Sequence, residues 1–395
     1  MIKELEASGF NVMACFGRDQ QVIENFLLNE QRKAQVDIVL AFSLKFYSAL
    51  TPKLAENLKQ LDVPIISAIS LYKETVEEWR ASPVGISAEA VTWTMSSPEI
   101  SGLIEPTVLI AKEKKVDQTT GKIFYLNKPV PENLERLIPR LHAWINLQRK
   151  ANSDKRLAIM FYNHHQGKQN IGASYLNVFA SLEEILTNLN KAGYSTGGLP
   201  SQEDIKQMIL RSARNIGSWA PGELDKLVAG GELVLLDVEE YSGWFAELPQ
   251  TFQDRVIAQW GAPGAFDMML YQGKIVIPLV RQGNTVLMPE PSKGWGDDPI
   301  KLYHDTTLYP HHQYLAAYLW LQKKFKADAM IHLGTHATYE WMPGKQAGLS
   351  PSCPPEVLIT DIPNLYPYIV DNVGEAIQAK RRGRGVMLSH LTPML

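Results

Sequence analysis

Residues 329–345 read AMIHLGTHATYEWMPGK. The first five form a short apolar run ending at glycine and threonine, the pattern of a buried strand that enters a loop. His332, His336 and Glu340 follow one another at intervals of four, and Lys345 closes the stretch. Three groups that accept a proton or bind a metal thus lie within short reach. Neutral imidazole and carboxylate suit borderline metals such as cobalt or zinc, and burial can tune either into a general base. A single buried histidine is usually structural. Two histidines, a glutamate and a lysine at one strand-to-loop crossing favour a functional reading.

Working outward, similar runs recur at 37–42 (DIVLAF), 64–69 (PIISAI), 107–111 (TVLIA), 156–162 (RLAIMFY), 232–238 (ELVLLDV) and 274–280 (KIVIPLV). Amphipathic segments such as TPKLAENLKQL, PENLERLIPRLHAWINLQRK and SLEEILTNLNKAGY lie between many of them. Apolar strands alternating with helices predict an α/β, multidomain chain with mostly parallel sheets flanked by helices. The polar stretch 112–122 reads as a hairpin or surface loop. The charged segment QRKANSDKR (148–156) is the best linker. It divides residues 1–150, an N-terminal α/β domain, from 151–395, an α/β core carrying the His/Glu motif. Lys3 to Ser8 reads as the end of a helix stopped by Gly9, and Phe10 to Phe16 as a strand. Such an opening, and a close just after the apolar run Val386 to Leu388, read as an internal fragment truncated at both ends.

The 395 residues carry a formal charge of -3 and are 45% hydrophobic. A nucleic-acid-binding protein normally shows a basic excess, which is absent here. The two cysteines, Cys15 and Cys353, exclude a disulfide scaffold or a Cys-based zinc site. No apolar run approaches the roughly 18 residues that span a bilayer, and MIKELEASGF lacks the apolar core of a signal peptide. The expectation is a cytoplasmic protein with no membrane span.

Three further constellations stand out. In FYNHHQGKQNIGASYLNV a strand ends at Tyr162, and Asn163, His164, His165 and Lys168 precede a helix near Ala173. Ligands bind at the carboxyl ends of strands in open α/β sheets, although a plain strand-to-helix connection accounts for the stretch equally well. Gly167-Lys168 does not form a phosphate loop, because the glycine four residues earlier is missing and Gln169 stands where serine or threonine is required. No other segment fits that pattern. In YPHHQYLAAYLWLQKKF a helix starts near Pro310, with an apolar face of Tyr314, Leu315, Tyr318, Leu319 and Trp320 and a basic end at Lys323, Lys324 and Lys326. Paired histidines at such an N-terminus, here His311 and His312, are more often surface residues than ligands. In QAKRRGRG (378–385), Arg381 and Arg382 read locally as a solvated helix end, with a clamp for carboxylates as the functional alternative.

Taken together, HLGTHATYEWMPGKQAGLS, DIPNLYPYIVDNVGEAIQAKRRG, PHHQYLAAYLWL, NHHQGKQNIGASYLNVFASL and SPVGISAEAVTWTMSSPEISGLI resemble the large subunit of the ATP-dependent tetrapyrrole metal chelatases. That family includes the cobaltochelatase subunit CobN and the magnesium chelatase H subunit. The resemblance covers nearly the whole chain, and family members are several times longer. Ala337 stands at a usual glycine, and His165 and Gln166 replace two prolines.

The resemblance implies a subunit that binds a metal-free macrocycle and hosts insertion, a ligase forming nitrogen–metal bonds. It implies Glu340, with His336 or His332, as the base for the pyrrole protons. It implies His332, His336, Glu340, His311 and His312 as exchangeable metal ligands. Asn163, His164, Lys168, Lys345, Arg381 and Arg382 would hold the macrocycle. ATP would be used by AAA+ partner subunits and not bound here, which agrees with the missing phosphate loop. The Glu340-Trp341 pair and SYLNVFASL look closer to CobN, hence to cobalt and a corrin-type substrate in cobalamin biosynthesis. The alternatives are a magnesium chelatase H subunit acting on protoporphyrin, a non-catalytic tetrapyrrole-binding or sensor protein, and a self-contained metallohydrolase.

Overall fold

The structure is a computed structural model. It describes residues 1–17, 19–42, 52–163, 171–172, 176–217, 220, 222–265, 268–294, 305–334, 337–368 and 372–389. It is mixed α/β with mostly parallel sheets flanked by helices, as the alternation of runs predicts. Two compact units are present.

The first unit comprises Met1–Ile145 and Gly344–Pro351. Its sheet orders β1 (Val39–Ala41), β2 (Ile65–Thr75), β3 (Ile104–Val116) and β4 (Ile123–Pro129) side by side. The first three are parallel, and β4 returns antiparallel along β3. The polar stretch 112–122 is therefore the end of β3 followed by a hairpin turn at 117–122. Phe10 to Phe16 does not form the expected strand. A strand needs a partner ladder, no described strand pairs with this segment, and Phe16 stands 96% exposed.

The second unit comprises Asn146–Pro343 and Ser352–Leu395. Its six-stranded sheet contains β5 (Leu157–Phe161), β9 (Val280–Gln282), β10 (Thr285–Pro289), β11 (Ala329–Leu333), β12 (Asn364–Tyr368) and β13 (Gly385–Ser389), in the order β13-β12-β11-β5-β10-β9. All pairings are parallel except β9 with β10. A small antiparallel sheet joins β6 (Val234–Asp237), β8 (Lys274–Ile277) and β7 (Leu270–Tyr271). The run KIVIPLV is thus not one strand. Pro278 has no N–H to continue a ladder, and the chain changes sheets there, from β8 to β9. Pro367 lies inside β12 at little cost for a related reason. The pairing of β12 with β11 covers Asn364 and Leu365 and resumes only at the Gly334–Tyr368 bridge, so Pro367 falls in the gap.

Alternation along the buried strands sorts the core. Ala158, Met160, Val286, Met288 and Met330 pack with the helix His312–Trp320. Ile159, Phe161, Leu287, Ile331 and Leu333 pack against residues of the helices Val178–Lys191 and Gln202–Ser212. His332 shares the parity of Met330 and therefore meets the first layer. All nine residues of His312–Trp320 are buried, so this helix is apolar all round rather than on one face. No described helix is long and apolar enough to cross a membrane.

Candidate functional site

Three adjacent parallel strands, β11, β5 and β10, end on the same side of their sheet. Past their carboxyl ends lie the 337–343 turn, Asn163 and the segment 290–293. Open α/β sheets build ligand sites at this position.

Glu340 sits on the short 3-10 turn Tyr339–Trp341 and is fully buried. Its Oε1 accepts the Ala337 N–H at 2.9 Å and lies 3.5 Å from the Tyr366 hydroxyl. Its Oε2 is buried with no hydrogen-bond partner. Burial pushes the carboxyl well above its usual range, and the nearby Glu290 carboxyl pushes it further. A carboxyl in this state takes up a proton more readily than an ordinary one, and one of its oxygens has no donor.

His332 is 3% exposed and lies between aromatic rings, stacked on Tyr366 at 4.9 Å between centroids. Asn364 donates its Nδ2 to the Gly383 carbonyl (2.8 Å) and to the Tyr339 hydroxyl (2.7 Å). That fixes its Oδ1 as the acceptor facing His332 Nδ1 at 2.9 Å, so Nδ1 carries the hydrogen. The lone pair sits on Nε2, which has only the long 3.3 Å contact to Tyr318. This is how a metal-ligating or proton-accepting histidine is usually oriented, by a fixed partner on its other nitrogen. Desolvation lowers its pKa and keeps the ring neutral.

Glu290, next after β10, was not singled out in the sequence. Its Oε1 accepts the Thr338 N–H at 2.5 Å, the Thr338 hydroxyl at 2.8 Å and the Tyr314 hydroxyl at 3.0 Å. Lys293 is buried and donates to the Asp305 carbonyl. Desolvation lowers its pKa to about 8. The available signal is the run TVLMP (285–289), a short strand ending in proline directly before Glu290.

Other expected residues lie elsewhere or are already engaged. His311 is the N-cap of its helix. Its Nδ1 accepts the Tyr314 N–H at 3.2 Å and its Nε2 donates to the Ser292 carbonyl at 2.7 Å. His312 accepts from the Tyr241 hydroxyl at 2.7 Å and donates to the Gly261 carbonyl at 2.9 Å. Neither ring has a lone pair left for a metal, and both are core rather than surface residues. Among the described residues, no three His, Cys, Asp or Glu side chains converge as a metal site. Arg382 is buried and donates to the carbonyls of Glu340 (2.7 Å), Met342 (2.6 Å) and Pro343 (2.9 Å). It grips the protein's own turn instead of ending a solvated helix. Arg381 is half-buried. Lys345 belongs to the first unit, where its ammonium donates to the carbonyls of Trp79 (2.7 Å), Arg80 (3.1 Å) and Ser82. Asn163 is buried and accepts the Asn215 N–H at 3.1 Å. His336, His164 and Lys168 lie outside the described residues, as do His165 and Gln166. Ala337 is buried in the core.

The family described as CobN/Magnesium Chelatase matches residues 1–395. The chain belongs to that family. It is 33% identical over 410 residues to the magnesium-chelatase subunit ChlH of rice, covering 100% of this chain and 28% of that protein. It is 33% identical over 340 residues to the aerobic cobaltochelatase subunit CobN of Pseudomonas aeruginosa, covering 85% of this chain and 26% of that protein. Among solved structures, the catalytic subunit of cobaltochelatase from Mycobacterium tuberculosis superimposes with a TM-score of 0.81 at 30% identity, over 99% of this chain and 33% of that one. The chain thus spans about a third or less of the relatives it matches. Within the matched segment, the Glu340 turn is the candidate site.

Proposed function

We propose that the chain is the part of a cytoplasmic chelatase large subunit that takes protons from the macrocycle while cobalt enters a corrin-type tetrapyrrole. The observation that carries this reading is Glu340. It is fully buried, one oxygen is oriented by the Ala337 N–H, and the other has no donor. Insertion releases two pyrrole protons, and a desolvated carboxyl with a raised pKa is suited to receive them one at a time. His332 offers a neutral nitrogen of fixed tautomer, which suits cobalt better than magnesium, a metal that prefers oxygen. Energy would come from AAA+ partner subunits that hydrolyse ATP. Those partners and the macrocycle belong to the whole protein.

The magnesium reading has its own support, because the rice ChlH match spans all of this chain. The test is the full-length protein with its motor subunits and ATP. It is given Co2+ with a metal-free corrin in one arm and Mg2+ with protoporphyrin in the other. Faster insertion in the first arm is the expected outcome. Insertion in the second arm alone replaces cobalt with magnesium. Macrocycle binding without insertion in either arm replaces the enzyme with a tetrapyrrole sensor.

A further inference from the structure

The turn that carries Glu340 is held from both ends by buried side chains of opposite charge type. At its start, the Glu290 carboxyl accepts both the N–H and the hydroxyl of Thr338. Along its far side, the Arg382 guanidinium donates to the carbonyls of Glu340, Met342 and Pro343. Gln378 adds a 3.3 Å bond to the Glu340 carbonyl. Glu290 is 2% and Arg382 5% exposed. Removing such groups from water costs several kcal/mol each unless hydrogen bonds offset it. Hydrogen bonds of both groups end on the backbone of this one turn. A core that needed only stability would place apolar side chains here at less cost.

We infer that Glu290 and Arg382 are positioning residues for Glu340. They fix the 338–343 turn so that the Glu340 carboxylate stays oriented with Oε2 free of donors. The inference rests on the reading of Glu340 as the proton acceptor and extends it to the side chains that hold it. Neither residue need touch the macrocycle. A displacement of about 1 Å at a reacting group is enough to cost on the order of 100-fold in rate.

The test uses the full-length protein with its motor subunits, ATP, Co2+ and a metal-free corrin, and Mg2+ with protoporphyrin as a second arm. Glu290→Ala is expected to lower the insertion rate about 100-fold while macrocycle affinity stays within about tenfold. Glu290→Gln keeps a carbonyl acceptor for Thr338 and Tyr314 and is expected to recover to within about tenfold of the native rate. The double variant Glu290→Ala/Glu340→Gln should be no slower than Glu340→Gln alone, because an absent base cannot be misaligned. Amide exchange of the 337–343 peptide should be faster in Glu290→Ala, a readout that needs no activity.

A native rate in Glu290→Ala with a slow Glu340→Gln would overturn the positioning role and leave the base in place. Multiplied losses in the double variant would overturn it too. A native rate in Glu340→Gln would sink the base instead, and exchange of the turn would then decide the brace alone. If Glu290→Ala does not fold, Arg382→Lys carries the test. Lysine cannot reach three carbonyls from a planar fork, so rate should fall with affinity kept. Equal losses of rate and affinity would overturn the inference.

Discussion

Glu340 and Lys345 stand five residues apart in one motif, and both are buried, yet their surroundings differ in kind. The Lys345 ammonium meets three backbone carbonyls at the C-terminal end of the helix Val76–Ala81 and lies over the Trp79 ring at 5.1 Å. The Glu340 carboxyl is held at Oε1 by the Ala337 N–H, with the Tyr366 hydroxyl at 3.5 Å, and leaves Oε2 without a partner. The histidines repeat the contrast. His311 and His312 engage both ring nitrogens, whereas His332 keeps Nε2 with only one long contact. Burial alone therefore does not mark a working residue. A satisfied buried group stabilises the fold, and an unsatisfied one is kept at a cost that function explains.

The largest effect expected from this contrast is on rate. Glu340→Gln in the full-length protein should slow insertion about 100-fold or more, with macrocycle affinity changed less than about tenfold. Fluorescence quenching titrations and single-turnover insertion measure the two quantities. A near-native rate would place Glu340 with Lys345 among the structural residues.

Next is acid sensitivity at His311. Its folded pKa, about 4, lies below the usual 6.5 because the ring is fully desolvated. A depressed histidine contributes stability that is present above its unfolded pKa. That stability is lost as pH falls from about 6.5 towards about 4. The loss should be on the order of 3 kcal/mol, and His311→Gln should flatten the pH dependence of urea midpoints in this window. An unchanged slope would mean the ring is not held neutral.

Smaller again is Lys345→Ala. It takes the ammonium away from three carbonyls, of which Trp79's keeps the Ser82 N–H, and should cost about 2 kcal/mol of stability, read from urea midpoints, without a specific loss of macrocycle affinity. Weaker macrocycle binding at unchanged stability would make Lys345 a substrate clamp after all.

The smallest effect has the opposite sign. Glu340 has a raised folded pKa, so its contribution to stability is present below the unfolded value and is lost as pH rises through the folded one. Glu340→Gln removes that loss and should raise the urea midpoint at alkaline pH. A destabilised variant there would show that Glu340 braces the core rather than straining it.

The α/β class and the strand leading into the motif were legible in the sequence. Apolar runs and amphipathic segments report burial through periodicity, which is a local property. The split of KIVIPLV at Pro278 follows from a proline inside the run, which is local information. Spacing placed His332 and Glu340 at one crossing, and the family pattern assigned them chemistry. Only tertiary structure decided which polar groups remain unsatisfied. Glu290 is 50 residues from Glu340 in the chain, and Arg382 is 42 residues beyond it; Glu290 reaches its turn because adjacent parallel strands end together, and Arg382 reaches it from the end of the helix Val373–Arg382. Hydrogen-bond completion depends on partners brought together from distant segments, so sequence named the ionisable groups and folding determined which of them stayed free to react.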